Sequence, residues 1–205
     1  AEIRPWVKYG WEMVLITHEI LKRYEPLNDL TKKSFLENYE ENCSKLLLDY
    51  SWNSIELQQY LDNARSFQIK NDLKKWIALH QPFNEVVNFI KYANDKGYKI
   101  GVISTKAKKF TSKILSNFNI FPELIYGYES GNKVDIISNL LPNYEIIGFV
   151  EDRRKTLSNI LQNKQTKFIN CYLAEWGYLK DTDKIDLPQE MKLLKIKNLE
   201  DLVAN

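Results

Sequence analysis

The stretch IIGFVEDRRKTL, residues 146–157, is an apolar run that ends abruptly on two adjacent acids. Residues 146–150 are continuously apolar, which is typical of a parallel strand that is buried on both faces. Glu151 and Asp152 follow at once, and a segment with helical periodicity comes after them. Ligands of open parallel sheets bind beyond the carboxyl ends of the strands. The stretch therefore predicts a buried strand that delivers two carboxylates to a binding edge.

Strand-like and helix-like segments alternate throughout the second half of the chain. This alternation predicts right-handed crossovers and a parallel sheet covered by helices on both faces, so the expected fold class is α/β. The predicted strands are YKIGVI (98–103), ELIYG (123–127), IIGFV (146–150) and KFINCYL (167–173). The predicted helices are NEVVNFIKYANDKG (84–97), with a cap at Asn84, KKFTSKILSNF (108–118), KVDIISNLL (133–141) and KTLSNILQ (155–162).

The first 82 residues have a different pattern. Six of the seven glycines lie at or after Gly97, which indicates two architectures, since glycine marks tight turns and close backbone approaches. Apolar residues recur at helical spacing in FLENYEENCSKLLLDY (35–50), IELQQYLDNA (55–64) and DLKKWIALH (72–80). We predict an all-helical domain of four or five helices at 1–82 and an α/β domain at 83–205. The aromatic residues of the first domain are expected in its core.

Composition excludes several function classes. A net charge of +2 gives no concentrated basic field, so neither nucleic acid nor an anionic membrane is an expected partner, although TKAKKFTSK (105–113) is locally basic. The only cysteines, Cys43 and Cys171, are far apart, which favours a reducing cytoplasm over a disulfide framework. Two histidines are too few for a histidine-rich zinc site. No apolar run has the length of a membrane span.

The residues that follow the predicted strands form a chemically coherent set. Ser104 and Thr105 follow one strand, Lys133 lies near the start of a helix, and Glu151 and Asp152 follow another strand. Carboxylates suit Mg²⁺, which completes its shell with water and phosphate oxygens, while a lysine and hydroxyls suit the phosphate itself. Together they predict an electrostatic cradle for a transferring phosphoryl group.

Each signal alone has a common structural explanation. A Ser-Thr pair after a strand is often a helix cap, a lysine near a helix start is usually solvated, and adjacent acids often satisfy the positive end of a helix. Arg153 and Arg154 are expected to be surface charges or partners of the acids. The order of these residues and their shared position at strand ends favour the functional interpretation.

On the basis of these motifs, residues 82–205 resemble the core of the haloacid dehalogenase-like hydrolase superfamily. Within it they resemble the subgroup of phosphoglycolate phosphatases in particular. The matching stretches are PFNEVVNFIKYANDKGYKIGVISTK (82–106), GNKVDIISNLL (131–141), IIGFVEDRRKTLSNI (146–160) and AEWGYL (174–179). The resemblance implies a Rossmann-like parallel sheet with a helical cap domain. It also implies that Ser104 is the phosphate-binding hydroxyl, Lys133 the lysine that steadies nucleophile and phosphate, and Asp152 the magnesium-associated carboxylate with Glu151 beside it.

One motif of that family has no counterpart here. The family carries Asp-x-Asp at the end of its first strand, and the first Asp is the nucleophile, whereas the first Asp of this chain is Asp29 in a polar segment. Either the nucleophile lies outside these 205 residues or the protein is a degenerate member without it. The absence of an initial Met favours the first explanation. The loss of a central strand, which would leave its neighbours unpaired, argues against it.

Three functions are therefore weighed. The leading one is a Mg²⁺-dependent phosphatase of a small phosphorylated metabolite that acts through an aspartyl-phosphate. The second is a catalytically inactive binding or regulatory protein, because the nucleophile is absent. The third is a haloacid dehalogenase, which ranks lower because that reaction needs no metal and a carboxylate pair would repel its substrate. The substrate itself, the oligomeric state and the cap residues that contact substrate cannot be read from the sequence.

Overall fold

The computed structural model describes residues 2–203, apart from the side chain of Leu30. The chain divides into two compact units, Ala1–Leu79 and His80–Asn205. Within the described range, none of the helices is both long and apolar enough to cross a membrane. The role of the first unit as a cap domain stays a prediction.

The first unit is built from helices. They are α1 (Gly10–Leu21), α2 (Asp29–Glu37), α3 (Tyr39–Asp49), α4 (Ser54–Asn71) and α5 (Leu73–Ala78). The single pattern at 35–50 is divided between α2 and α3, because Asn38 takes a non-helical backbone conformation with φ −120° and ψ 43°. Asn and Asp side chains begin two of the helices, since Asn53 accepts a hydrogen bond from the Glu56 amide and Asp72 accepts one from the Lys75 amide.

The core of the first unit combines an apolar cluster with buried carboxylates. Glu12 is 4% exposed and accepts a hydrogen bond from the Tyr39 hydroxyl at 3.0 Å. Glu19 is 5% exposed and accepts hydrogen bonds from the Tyr50 hydroxyl at 2.7 Å and from the Lys22 ammonium at 2.9 Å. Both buried acids are therefore satisfied. The buried apolar cluster consists of Val7, Leu15, Ile16, Tyr39, Cys43 and Leu57, with Trp6, Trp11 and Trp52 packed against it.

The second unit alternates helices with parallel strands, and the α/β fold class is confirmed. Its helices are α6 (Asn84–Asp95), α7 (Lys108–Asn117), α8 (Lys133–Leu140) and α9 (Arg154–Gln162). Its strands are β1 (Gly101–Ile103), β2 (Leu124–Tyr126), β3 (Phe149–Glu151), β4 (Cys171–Ala174) and β5 (Met191–Leu194). The part of this unit that the structure describes also contains 3-10 helices at Tyr128–Ser130, Asp181–Lys184 and Ile196–Val203.

Two local expectations in this unit need correction. Asn84 is the first helical residue of α6 and not its cap, which is Phe83 and makes no side-chain capping bond. The strand β5 was missed because its apolar residues do not alternate: Met191 and Leu194 are buried, whereas Lys192 and Leu193 are exposed. The expected helix-terminating glycine is present, since Gly97 has φ +86°.

Within the described residues 2–203, the strands form two parallel sheets in place of the single sheet that was expected. One has the order β1-β2 and the other β3-β4-β5. Within residues 2–203, β1 pairs only with β2, and β3 pairs only with β4, so each has one edge without a neighbouring strand. The prediction of a strand buried on both faces at 146–150 is wrong, because Val150 in β3 is 37% exposed. By contrast, Cys171, Leu173 and Ala174 of the central strand β4 are buried.

A single apolar cluster supports both sheets. Its buried members are Ile137, Leu157, Ile160, Ile169, Cys171, Leu173 and Met191. Three residues that neighbour the predicted site positions pack against it: Ile103 precedes Ser104, Val134 follows Lys133, and Phe149 lies two residues before Glu151. The backbone at these three positions is therefore anchored to one core.

Candidate active site

The lysine and the first acid of the predicted set contact each other. Lys133 is the first residue of α8 and Glu151 is the last residue of β3. The Lys133 ammonium donates a hydrogen bond to Glu151 Oε2, and the two side chains are 19% and 8% exposed. The position of Lys133 is set by Asn132, which caps α8 by accepting a hydrogen bond from the Asp135 amide at 2.9 Å. Because an ammonium carries three donors, two of the Lys133 donors remain for other acceptors.

Glu151 lies in an environment that favours its protonated form. Burial raises its pKa above the ordinary value of 4.5, and the neighbouring Asp152 carboxylate raises it further. The Lys133 ammonium acts in the opposite direction without cancelling the effect of burial. An acid with a raised pKa beside a lysine and a second acid is found at functional sites and also in buried ion pairs of purely structural function.

Asp152 is held by the loop that follows β4. Its Oδ2 accepts a hydrogen bond from the backbone N–H of Tyr178 at 3.1 Å. Gly177 lies directly against it, since a Cβ built at position 177 would be 2.1 Å from the Asp152 Cβ. The parallel register brings these segments together, because Glu151 of β3 pairs with Leu173 of β4. A backbone N–H of this loop therefore helps to orient the Asp152 carboxylate, which also lies beside the Glu151 carboxyl group.

Ser104 lies at the carboxyl end of β1. Its backbone N–H donates to the carbonyl oxygen of Tyr126 at 2.9 Å, which extends the β1–β2 pairing by one residue. Its Oγ accepts a hydrogen bond from the Lys106 amide at 3.0 Å. A hydroxyl that accepts in this way keeps its own proton to donate to an anion. Thr105 is exposed, and α7 begins after Ala107 without a side-chain cap, so neither hydroxyl caps the helix.

Lys133, Glu151 and Asp152 thus lie together, and Ser104 is attached to the same core through Ile103. Sequence reasoning missed the contribution of Gly177 and of the Tyr178 amide. The Trp-Gly-Tyr stretch was recognised only as part of a resemblance, because nothing in the sequence states which residue the glycine approaches. The assignment of each residue to catalysis, phosphate binding or metal binding remains a prediction.

Arg154, expected to be a surface charge or a partner of the acids, instead binds backbone carbonyl oxygens. The Arg154 guanidinium donates to the carbonyl oxygens of Thr182, Ile185 and Asp186, at 3.2, 2.6 and 2.6 Å. Arg154 therefore braces the loop at 182–186, which lies after the Trp-Gly-Tyr stretch in the chain. This is a structural role.

Of the two acids at the end of β3, Asp152 is the better candidate ligand for Mg²⁺. Within residues 2–203, no group of three or more His, Cys, Asp or Glu side chains is arranged to hold a metal ion. Mg²⁺ commonly uses only one or two protein carboxylates and takes its other ligands from water and phosphate. Asp152, with a backbone-fixed carboxylate at a strand end, fits this requirement. Glu151 fits it less well, because its carboxylate is engaged by Lys133.

Comparison with known proteins identifies a family and one curated relative. The family model described as haloacid dehalogenase-like hydrolase matches residues 12–147, a segment that contains β1, β2 and Lys133 and ends shortly before β3. A curated relative named phosphoglycolate phosphatase, from Aquifex aeolicus, is 26% identical over 137 residues. That alignment covers 62% of this chain and 61% of the relative, so the chain spans less than two thirds of the relative's length.

No solved structure gives a significant match. The matched segment of the family model nevertheless exceeds half of the chain. The chain therefore belongs to the family of haloacid dehalogenase-like hydrolases.

Proposed function

We propose that the protein is a Mg²⁺-dependent phosphatase of a small phosphorylated metabolite, whose nucleophilic Asp is supplied by a segment outside these 205 residues. The observation that carries the proposal is the contact between Lys133 and Glu151 immediately beside Asp152, at the carboxyl end of a parallel strand in a chain of this hydrolase family. The relative named phosphoglycolate phosphatase makes phosphoglycolate the first substrate to test.

The residues of this chain would divide the work as follows. The Ser104 O–H and the remaining Lys133 donors would bind phosphoryl oxygens, with Thr105 as a further hydroxyl at the same strand end. Glu151 would orient the Lys133 ammonium by its hydrogen bond. Asp152 would hold Mg²⁺, with Glu151 as the adjacent acid, and the bound ion would supply positive charge against the developing negative charge of the transferred phosphoryl group.

The open edges of β1 and β3 support a nucleophile from another segment. Each of these strands has one edge that pairs with no other strand within residues 2–203. A parallel strand that paired with both edges would join the two sheets and satisfy their unpaired backbone groups. An Asp at its carboxyl end would then lie between the strand ends that carry Ser104 and Asp152, where it could attack phosphorus and form an aspartyl-phosphate.

The proposal is tested by phosphate release from phosphoglycolate and from a generic aryl phosphate, with and without Mg²⁺. The protein should be the full chain as the cell makes it. Asp152→Ala should lower turnover on the order of 100-fold or more, since an electrostatic group at the reacting phosphate is removed. Asp95→Ala, which changes an exposed acid at the end of α6, is the matched control and should retain activity. Undiminished turnover in Asp152→Ala would reject the assignment.

A non-catalytic binding protein is the second candidate. The observation in its favour is the absence, within residues 2–203, of any acidic cluster that could hold a metal by itself. A binding protein would bind phosphorylated ligands without turnover in any form of the chain. Release of chloride from chloroacetate without added metal would instead indicate the dehalogenase reaction.

A further inference from the structure

We propose that Gly177 is a positioning residue whose missing side chain fixes the orientation of the Asp152 carboxylate, an inference that rests on the proposed function of Asp152 as the metal-associated acid. It concerns the loop at 175–178, which follows β4 and leads away from the sheet. Nothing in the family comparison assigns a role to this loop, since the family model matches only residues 12–147.

The loop is fixed at several points of its backbone. The Glu175 amide donates to the carbonyl oxygen of Leu194 at 2.9 Å, which ties the start of the loop to β5. The Gly177 amide donates to the carbonyl oxygen of Ala174 at 3.1 Å, and the Leu179 amide donates to that of Gly177 at 3.1 Å. The backbone of Gly177 is therefore engaged on both sides and cannot move away from Asp152 without the loss of these hydrogen bonds.

Close approach, and not backbone conformation, makes glycine necessary at this position. A Cβ at 177 would lie 2.1 Å from Asp152 Cβ, 2.8 Å from Oδ2 and 2.9 Å from Cγ. All three distances are below the 3.0 Å that real Cβ contacts respect. The φ angle of Gly177 is outside the left-handed region, unlike those of Gly97 and Gly131, so an alanine would not be strained by its own backbone.

Rotation of the Asp152 side chain cannot relieve this contact. The closest atom is Asp152 Cβ, which is bonded directly to the backbone and does not move when χ1 changes. A methyl group at 177 must therefore displace the backbone at residue 152 or at the loop. Either displacement stretches the hydrogen bond from the Tyr178 amide to Asp152 Oδ2, which is 3.1 Å long. The carboxylate then loses the backbone donor that helps to set its direction.

The experiment compares Gly177→Ala with Gly101→Ala in the full-length protein. Gly101 is the matched control, because a Cβ there would meet only Leu124 Cβ, at 3.9 Å, and its φ is not positive. Binding of Mn²⁺ alone is measured by electron paramagnetic resonance, together with KM and kcat at saturating metal. We expect Gly177→Ala to weaken Mn²⁺ binding about 10-fold or more, as loss of an orienting partner does. The KM of Gly177→Ala should stay near the wild-type value. Gly101→Ala should match the wild type in Mn²⁺ affinity, KM and kcat.

A second pair of variants tests whether the contact with Asp152 causes the damage in Gly177→Ala. Asp152→Gly removes the Cβ that the added methyl would meet, so Gly177→Ala should lower the melting temperature in the wild-type background and cause no further decrease in the Asp152→Gly background. If Gly177→Ala fails to fold, the double variant should still fold. Equal damage in both backgrounds, or a folded Gly177→Ala with wild-type Mn²⁺ affinity, would overturn the inference.

The outcome for Asp152 itself is read separately. If Asp152→Ala leaves Mn²⁺ binding and turnover unchanged, the proposed function fails. If Asp152→Ala abolishes both while Gly177→Ala changes neither, the proposed function stands and the positioning role of Gly177 is rejected.

Discussion

Removal of the Lys133 ammonium should destabilise the second unit in a pH-dependent manner. Glu151 is 8% exposed at its side chain and is hydrogen-bonded by Lys133. Loss of one partner of a buried ion pair typically costs about 3–5 kcal/mol, because an uncompensated charge remains. Since Lys133 is 19% exposed and Glu151 can take up a proton, we expect the lower end, about 3 kcal/mol, for Lys133→Met at pH 7.5.

The sign of the pH dependence follows from the raised pKa of Glu151. Between 4.5 and that raised value, the folded chain holds a proton at Glu151 that the unfolded chain has already released, so stability falls as pH rises through this window. Without Lys133 the pKa rises further and the window extends to higher pH. The destabilisation by Lys133→Met should therefore be smaller at pH 5.5 than at pH 7.5.

Hydrogen exchange of the β4 amides measures this effect directly, because β4 is the buried central strand of its sheet. About 3 kcal/mol corresponds to roughly 100-fold faster exchange, since each 1.4 kcal/mol is a factor of ten. Lys155→Met, which alters an exposed lysine near the start of α9, is the control. The double change Lys133→Met with Glu151→Leu should recover most of the loss. Unaltered exchange in Lys133→Met, or equal acceleration at both pH values, would refute the reasoning.

Three further predictions concern other parts of the molecule. Burial raises the pKa of Glu19, but its hydrogen-bond partners outweigh burial and hold the pKa below 4.5. The stabilisation by Glu19 is therefore present above pH 4.5 and is lost as pH falls through the folded pKa. Glu19→Gln should flatten the acid-unfolding curve of the first unit, which tryptophan fluorescence follows. Arg154→Gln should release the loop at 182–186, which limited trypsin digestion would detect as faster cleavage there. Burial raises the pKa of Cys43 and of Cys171 to about 11, so about one thiol in a thousand is ionised at pH 8, and iodoacetamide should label both only after denaturation.

Much of the fold could be predicted from periodicity. The helical pattern of the first unit and the alternation of helices and strands in the second were both readable, because a helix or strand that faces a core must repeat its apolar residues at a fixed interval. The pairing of strands into sheets could not be predicted from periodicity. The separation into β1-β2 and β3-β4-β5 depends on which strand edges find partners, and no local pattern records this. The strand β5 was not predicted, because its buried and exposed residues do not alternate and it is recognised only by its parallel pairing with β4.

The candidate site followed from the same rule applied to strand ends. Ser104, Lys133, Glu151 and Asp152 were selected because the residues after parallel strands face one edge. The hydrogen-bond partners of these side chains could not be predicted from the sequence. Arg154 had been expected to be a surface charge or a partner of the acids. It binds the carbonyl oxygens of a loop, because three convergent carbonyls offer its guanidinium several hydrogen bonds.

By itself, the sequence determined that a strand ends at Glu151 with Asp152 directly after it and that helices alternate with parallel strands, because local spacing decides which elements form and which face is apolar. Only the tertiary structure decided that the Lys133 ammonium meets Glu151 across 18 residues of chain and that Gly177 lies against Asp152. These contacts join segments that are distant in sequence, and they depend on strand register and helix placement, which packing of the whole unit sets and no single stretch encodes.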